Sequence, residues 1–188
     1  MRKIFKIILA IFATIIIIVG AFAAIIFLDL AAYTATGSQT LTPTGTSVGK
    51  ALVVFDPGLS GTSKGVADKI ASDLQAQSYT VTLAGIKSSA AAKTAGYTII
   101  VVGGPIYAGS PTVSVKDNLK NLKPDSETKV GVFGSGQGPT SPSDVAMIKN
   151  SVPALSDNGS LSNAVIVKIG QTEDLNARAS DFVNQLAK

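Results

Sequence analysis

Residues 54–71, VFDPGLSGTSKGVADKIA, end an apolar run, pass through small and hydroxylated residues, and lead into a helix-like stretch. Backbone N–H groups at a helix start carry positive partial charge and have no intrahelical acceptor, so they attract anions. Gly58 and Gly61 allow close backbone approach, and Ser60, Thr62 and Ser63 offer hydroxyl protons around Leu59. The same residues also suit an ordinary N-cap, since Ser and Thr favour that position. Asp56 sits at the mouth; a carboxylate ~6 Å from a phosphate dianion in a water-like medium costs about 1.4 kcal/mol. Lys64 is expected to offset it in part.

Two further loops could meet this one. GGPIYAGSP (103–111) carries Pro105, Ile106, Tyr107, Ala108 and Gly109, with an aromatic at its crest. Tyr107 suits stacking on a flat ring or a partly buried structural role. FGSGQGPTSPSD (133–144) carries Gly134, Ser135, Gly136 and Gln137 and can approach a ligand by its backbone. Neither the dinucleotide fingerprint nor the Lys-containing phosphate loop is present. Asp56 and Asp144 lie on neighbouring strand-end loops and could in principle serve a hydrolase, though two such acids are far more often just solvated.

What is missing narrows the chemistry. The chain of 188 residues has neither Cys nor His. Disulfides, thiolate catalysis, the Ser-His-Asp triad and the usual transition-metal sites are thereby excluded, and no metal is expected. The net charge of +4 belongs mostly to the N-terminus: without Arg2, Lys3 and Lys6, thirteen of the sixteen basic residues face twelve acidic ones. No basic run is interleaved with aromatics, so no nucleic-acid partner is implied.

The elements that position these loops follow from the apolar pattern. Ile7 to Leu28 carries no charge and, as a helix of ~33 Å, is long enough to cross a bilayer core of about 30 Å. Residues 1–28 therefore read as a membrane anchor, with a cleaved signal ending near Ala21-Phe22-Ala23 as the alternative. The basic residues precede the span, which leaves the N-terminus in the cytoplasm and the rest outside. Residues 29–49, rich in Thr, Gly and Ser, read as a flexible tether. From Lys50 onward, apolar runs at 51–55, 79–84, 97–104, 129–136 and 162–170 alternate with helical patterns at 62–77, 112–122, 141–155 (interrupted or bent at Pro153) and 173–187. Residues 86–95 suit a weak helix or a loop. This alternation predicts a three-layer, doubly wound α/β sandwich over residues 50–188, with ligands outside the carboxyl ends of its strands.

Together, SGTSKGVADKIA (60–71) and YTIIVVGGPIYAGSPTVSVKDNL (97–119) resemble the flavodoxin family, specifically its short-chain form. The resemblance implies a five-stranded parallel sheet in the order 2-1-3-4-5. It also implies noncovalent FMN, with phosphate on residues 58–63 and the ring between the second and third loops. Electron transfer with a redox protein partner would follow. A cofactor-free module using the same fold for binding or scaffolding is the competing expectation.

Overall fold

The computed structural model describes residues 2–32 and 35–188. Helix α1 (Arg2–Ala32) runs four residues beyond the expected end of the span. Its segment Ile4–Leu28 has a mean hydropathy of 3.0 over the apolar window and is long enough to cross a membrane.

The strands that follow are β1 (Ser38–Leu41), β2 (Gly49–Phe55), β3 (Tyr79–Gly85), β4 (Ile99–Tyr107), β5 (Ser110–Pro111), β6 (Lys129–Gly136) and β7 (Val165–Gly170). The helices are α2 (Thr62–Ala76), α3 (Val113–Asn121), α4 (Pro142–Ser151) and α5 (Leu175–Ala187). Strands β3, β2, β4, β6 and β7 pair in parallel in that spatial order, which is the expected 2-1-3-4-5 arrangement. Strand β5 folds back on the end of β4 as a short antiparallel pair.

Side-chain alternation explains why these strands are apolar throughout. Along β2, Ala51 and Val53 face a cluster containing Val66, Ile70 and Leu74 of α2 and Phe182 and Leu186 of α5. Leu52 and Val54 face the opposite cluster, built with Val115 and Leu119 of α3 and Ile148 of α4. A strand buried on both faces needs apolar side chains at successive positions, as parallel sheets require.

One detail differs from expectation, and two open readings are resolved. Ser38–Leu41, inside the stretch read as a tether, forms β1 and pairs antiparallel with β3, Ser38 opposite Ala84 and Leu41 opposite Val81. The outer edge of β3 would otherwise present a row of unpaired backbone groups, and backbone pairing leaves little mark on composition. Part of that tether, residues 33–34, lies outside the described residues. Residues 86–95 form turns; Ile86 and Ala91 reach the core, while Ser88 accepts from the Ala91 amide at 3.2 Å. The interruption expected at Pro153 within 141–155 is present: α4 stops at Ser151, and Pro153–Leu155 continues as one 3-10 turn. Proline cannot donate to the preceding turn, so the α-helix ends before it.

Candidate functional site

The three loops collect at the carboxyl end of the sheet, and their chemistry begins with Asp56. Its side chain is fully buried. One carboxylate oxygen accepts from the Gly58 amide at 3.1 Å; the other accepts from the Thr112 hydroxyl at 2.8 Å and from the Ser114 hydroxyl. Gly104 makes room for this, since an added Cβ there would lie 2.8 Å from the Asp56 Cβ. The charge therefore faces the start of α3 and not the mouth of the first loop. The expected repulsion of an anion by an open carboxylate is corrected accordingly. Lys64 does not compensate Asp56; it pairs with Asp68 one turn along α2, at 2.7 Å.

Beyond Asp56, the chain turns through Gly58 (φ 63°) and Gly61 (φ 71°), both left-handed, where glycine carries no steric penalty. Gly61 is the N-cap of α2 and has no side chain to cap it. The Ser63 and Lys64 amides find no protein acceptor among the described residues. The Ser60 and Thr62 hydroxyls lie 2.9 Å apart at the rim, and the Gln171 amide donates to Thr62 Oγ1 at 3.3 Å. Ser63 differs from its neighbours: its buried hydroxyl pairs with Ser135 of β6 and so ties the first loop to the third. The arrangement offers free amides and surface hydroxyls with the nearest loop carboxylate turned away, a donor set suited to a phosphate.

The second loop closes over part of this cradle. Pro105 packs on Gly58, with Pro105 Cγ 2.8 Å from where a Gly58 Cβ would stand. The Leu59 amide donates to the Tyr107 hydroxyl at 3.0 Å, which leaves that amide directed at the phenol. Ala108 (φ 48°) and Gly109 (φ 78°) make the two-residue turn between β4 and β5. Paired left-handed residues match the twist of a tight hairpin. Ile106 lies across Gly134, where an added Cβ would meet its Cδ1 at 2.3 Å. Met147 of α4 reaches the turn, its sulfur 3.0 Å from the position of a Gly109 Cβ.

The third loop is held from below. Lys168 of β7 is buried, and its ammonium donates to Asp144 at 3.1 Å and to the Pro139 carbonyl at 3.3 Å. Asp144 also accepts from the Ser141 amide and hydroxyl, each at 2.8 Å, and closes a capping box at the start of α4. These Ser141 hydrogen bonds hold its carboxyl below the usual range, and Lys168 adds to them against the opposing effect of burial. Burial alone would raise Glu173, but hydrogen bonds from Thr140 and Gly170, with the charge of Arg178 behind them, leave it lowered. Gly136 and the exposed Gln137 lie on the loop so anchored. Asp56 and Asp144 belong to separate networks, each with its own donors, which argues against a shared hydrolytic role.

The structure thus brings Gly58–Ser63, Pro105–Gly109 and Gly134–Gln137 to one end of the sheet. Sequence reasoning missed Thr112 and Ser114 as partners of Asp56, and Lys168 as the anchor of the third loop. A lysine inside the apolar run VIVKIG was the available signal for the latter.

No protein-family model matches the chain. No curated protein matches it either. Solved structures do. Oxidised flavodoxin 2 from Bacillus cereus aligns with a TM-score of 0.53 at 21% identity, over 73% of this chain and 97% of that one. This chain has the flavodoxin-like fold. A flavodoxin from Streptococcus pneumonia TIGR4 aligns with a TM-score of 0.55 at 18% identity, over 73% of this chain and 97% of its own. Rubredoxin:oxygen oxidoreductase from Desulfovibrio gigas aligns over 76% of this chain but only 36% of its own, at 18% identity and a TM-score of 0.50. The flavodoxin-like region therefore corresponds to nearly the whole of the two flavodoxins and to about a third of the larger oxidoreductase.

Proposed function

We propose that this chain is a membrane-tethered flavodoxin-like protein that binds FMN noncovalently and passes electrons to and from a redox protein partner. The observation that carries the reading is the start of α2, where an uncapped helix leaves the Ser63 and Lys64 amides without acceptors among the described residues and Asp56 is turned inward. Phosphate would be held there, with the Ser60 and Thr62 hydroxyls and Gln171 at the rim. Tyr107, Gly136 and Gln137 are the residues available to flank the ring. Bound FMN supplies one- or two-electron transfer; the chain supplies position and electrostatics. The flavodoxins that share the fold support this choice. Helix α1 would anchor the protein, and Arg2, Lys3 and Lys6 ahead of the span keep the N-terminus cytoplasmic and the globular domain outside.

The test is the visible spectrum of the full chain purified from membranes and then reconstituted with FMN. Flavin absorbance that travels with the protein supports the reading. A colourless protein that leaves added FMN fluorescence unchanged rejects it.

A second reading, a cofactor-free binding or scaffolding module, is favoured by specific contacts. Tyr107 takes the Leu59 amide, and Met147 stands against Gly109 between the second and third loops. Under this reading those contacts persist with FMN present, and the reconstituted protein stays colourless.

A further inference from the structure

Strand β1 fixes more than a sheet edge. It runs antiparallel to β3, with Ser38 opposite Ala84 near the carboxyl end of β3. The ladder continues toward the membrane helix: the Gly85 amide donates to the Gly37 carbonyl and the Lys87 amide to the Ala35 carbonyl, each at 2.8 Å. Gly85 is where this approach is closest, since an added Cβ would lie 2.6 Å from the Ala35 carbonyl oxygen. The first residues after the helix are therefore bonded to the same end of the sheet that carries the three loops.

The length of chain left over is small. Helix α1 ends at Ala32, and Ala35 is already hydrogen-bonded to the domain. Three residue steps reach at most ~11 Å when fully extended. From Leu28, the end of the apolar span, to Ala32 a helix rises only ~6 Å. The headgroup layer of a bilayer accounts for about 5–7 Å of that path. The loop-bearing end of the domain is thus tied within roughly 10 Å of the headgroup surface, too close for the amino end of the sheet to face the membrane instead.

The surface at that end has the composition of an interface with lipid. Beyond the membrane helix, the exposed large apolar side chains among the described residues are Leu59 and Met147 at this end and Val48 at the other, just ahead of β2. Leu59 tips the first loop, and Met147 stands beside the turn of the second. Lys64 and Lys87 are exposed at the same end. Apolar tips beside ammonium groups match the boundary between acyl chains and phosphates. Between the juxtamembrane segment and the first loop lies a depression of about 560 Å³ walled by Phe55, Pro57 and Leu83, with Lys64 at its side.

We infer that the carboxyl end of the sheet docks on the bilayer surface from which α1 emerges, with Leu59 and Met147 inserted at the headgroup level. The candidate site then opens toward the membrane, and any partner reaches it along the membrane surface. This rests on the reading of α1 as a membrane anchor, but not on FMN.

The absence of Cys allows single-cysteine labelling of the full chain in lipid nanodiscs. Fluorophores placed at Leu59→Cys and Met147→Cys are compared with one at Ser126→Cys, an exposed position at the opposite end of the sheet. A label at Phe12→Cys reports on the helix itself. With nitroxide on the lipid headgroups, positions 59 and 147 are expected to be quenched at least threefold more than position 126. Adding Leu59→Asp to the Met147→Cys chain is expected to reduce quenching at 147 at least twofold. Equal quenching at both ends, with the Phe12→Cys label quenched by acyl-chain nitroxides, overturns the docking and leaves the anchor intact. Failure to quench the Phe12→Cys label overturns the anchor and the docking with it. Unchanged quenching on adding Leu59→Asp overturns the insertion of the loop tip.

Discussion

Helices α2 and α4 begin at the same end of one sheet and treat their first amides in opposite ways. At α4, Ser141 and Asp144 cap each other and Lys168 locks the pair from below. At α2, Gly61 offers no side chain and the Ser63 and Lys64 amides face no protein acceptor among the described residues. Anion-binding capacity comes from what a helix start leaves unsatisfied. The closed terminus of α4 anchors the third loop, and the open terminus of α2 leaves donors at the first loop that suit an anion. Asp56 sharpens the contrast, because its carboxylate is hydrogen-bonded to Thr112 and Ser114 at the start of α3 in place of standing in the open mouth.

Opening the closed end gives the largest expected effect. Asp144→Ala removes the cap and leaves the buried Lys168 ammonium without its carboxylate, for a loss of about 3 kcal/mol in domain stability. Denaturant unfolding of the full chain in detergent measures it. Adding Lys168→Met should recover most of the loss; no recovery would place the cost elsewhere.

Closing the open end comes next. Gly61→Asp sets a carboxylate at the α2 terminus, where an added Cβ meets open space and the left-handed backbone tolerates Asp. Repulsion of a dianion at ~5 Å weakens FMN binding on the order of tenfold, with riboflavin unaffected. Equal loss of both flavins in fluorescence titrations would show that phosphate does not sit there.

A smaller effect separates hydroxyls that neighbour each other in the chain. Ser60→Ala and Thr62→Ala each remove a rim donor and should weaken FMN by a few-fold, in keeping with about 1 kcal/mol per hydrogen bond. Ser63→Ala should leave affinity within about twofold on the same scale, because its hydroxyl is paired with Ser135. Its effect belongs to stability instead. A larger loss of affinity for Ser63→Ala than for Ser60→Ala would reverse the assignment.

The smallest effect near neutral pH is the contribution of the third-loop carboxylates. Asp144 and Glu173 are lowered in the folded protein, so their stabilisation is complete above the ordinary carboxylate range and is lost as pH falls through their folded values. Unfolding midpoints should be flat from about pH 6 to 8 and fall below about pH 4. Asp144→Ala should shallow that acid slope, and an unchanged slope would assign it to other groups.

How much of this was legible in the sequence depends on which interactions leave a periodic mark. The parallel core did, because ALVVF and YTIIVVGG must bury both faces. The α2 loop also did, since Gly and hydroxyl residues before a helical pattern are conspicuous. Strand β1 did not, because main-chain pairing to the edge of β3 asks nothing of Ser38, Gln39 or Thr40. The direction of Asp56 was equally hidden: Thr112 and Ser114 are 56 and 58 residues away. Such distant side-chain partners emerge only once β4 and α3 have been folded back beside β2.

The most direct test of the central claim is a paired titration of the full chain in nanodiscs with FMN and with riboflavin, which differ by the phosphate. Quenching of flavin fluorescence with FMN bound at least tenfold more tightly than riboflavin is the expected result. Equal affinity for the two, or no binding of either, would contradict the assignment of the α2 terminus as a phosphate cradle.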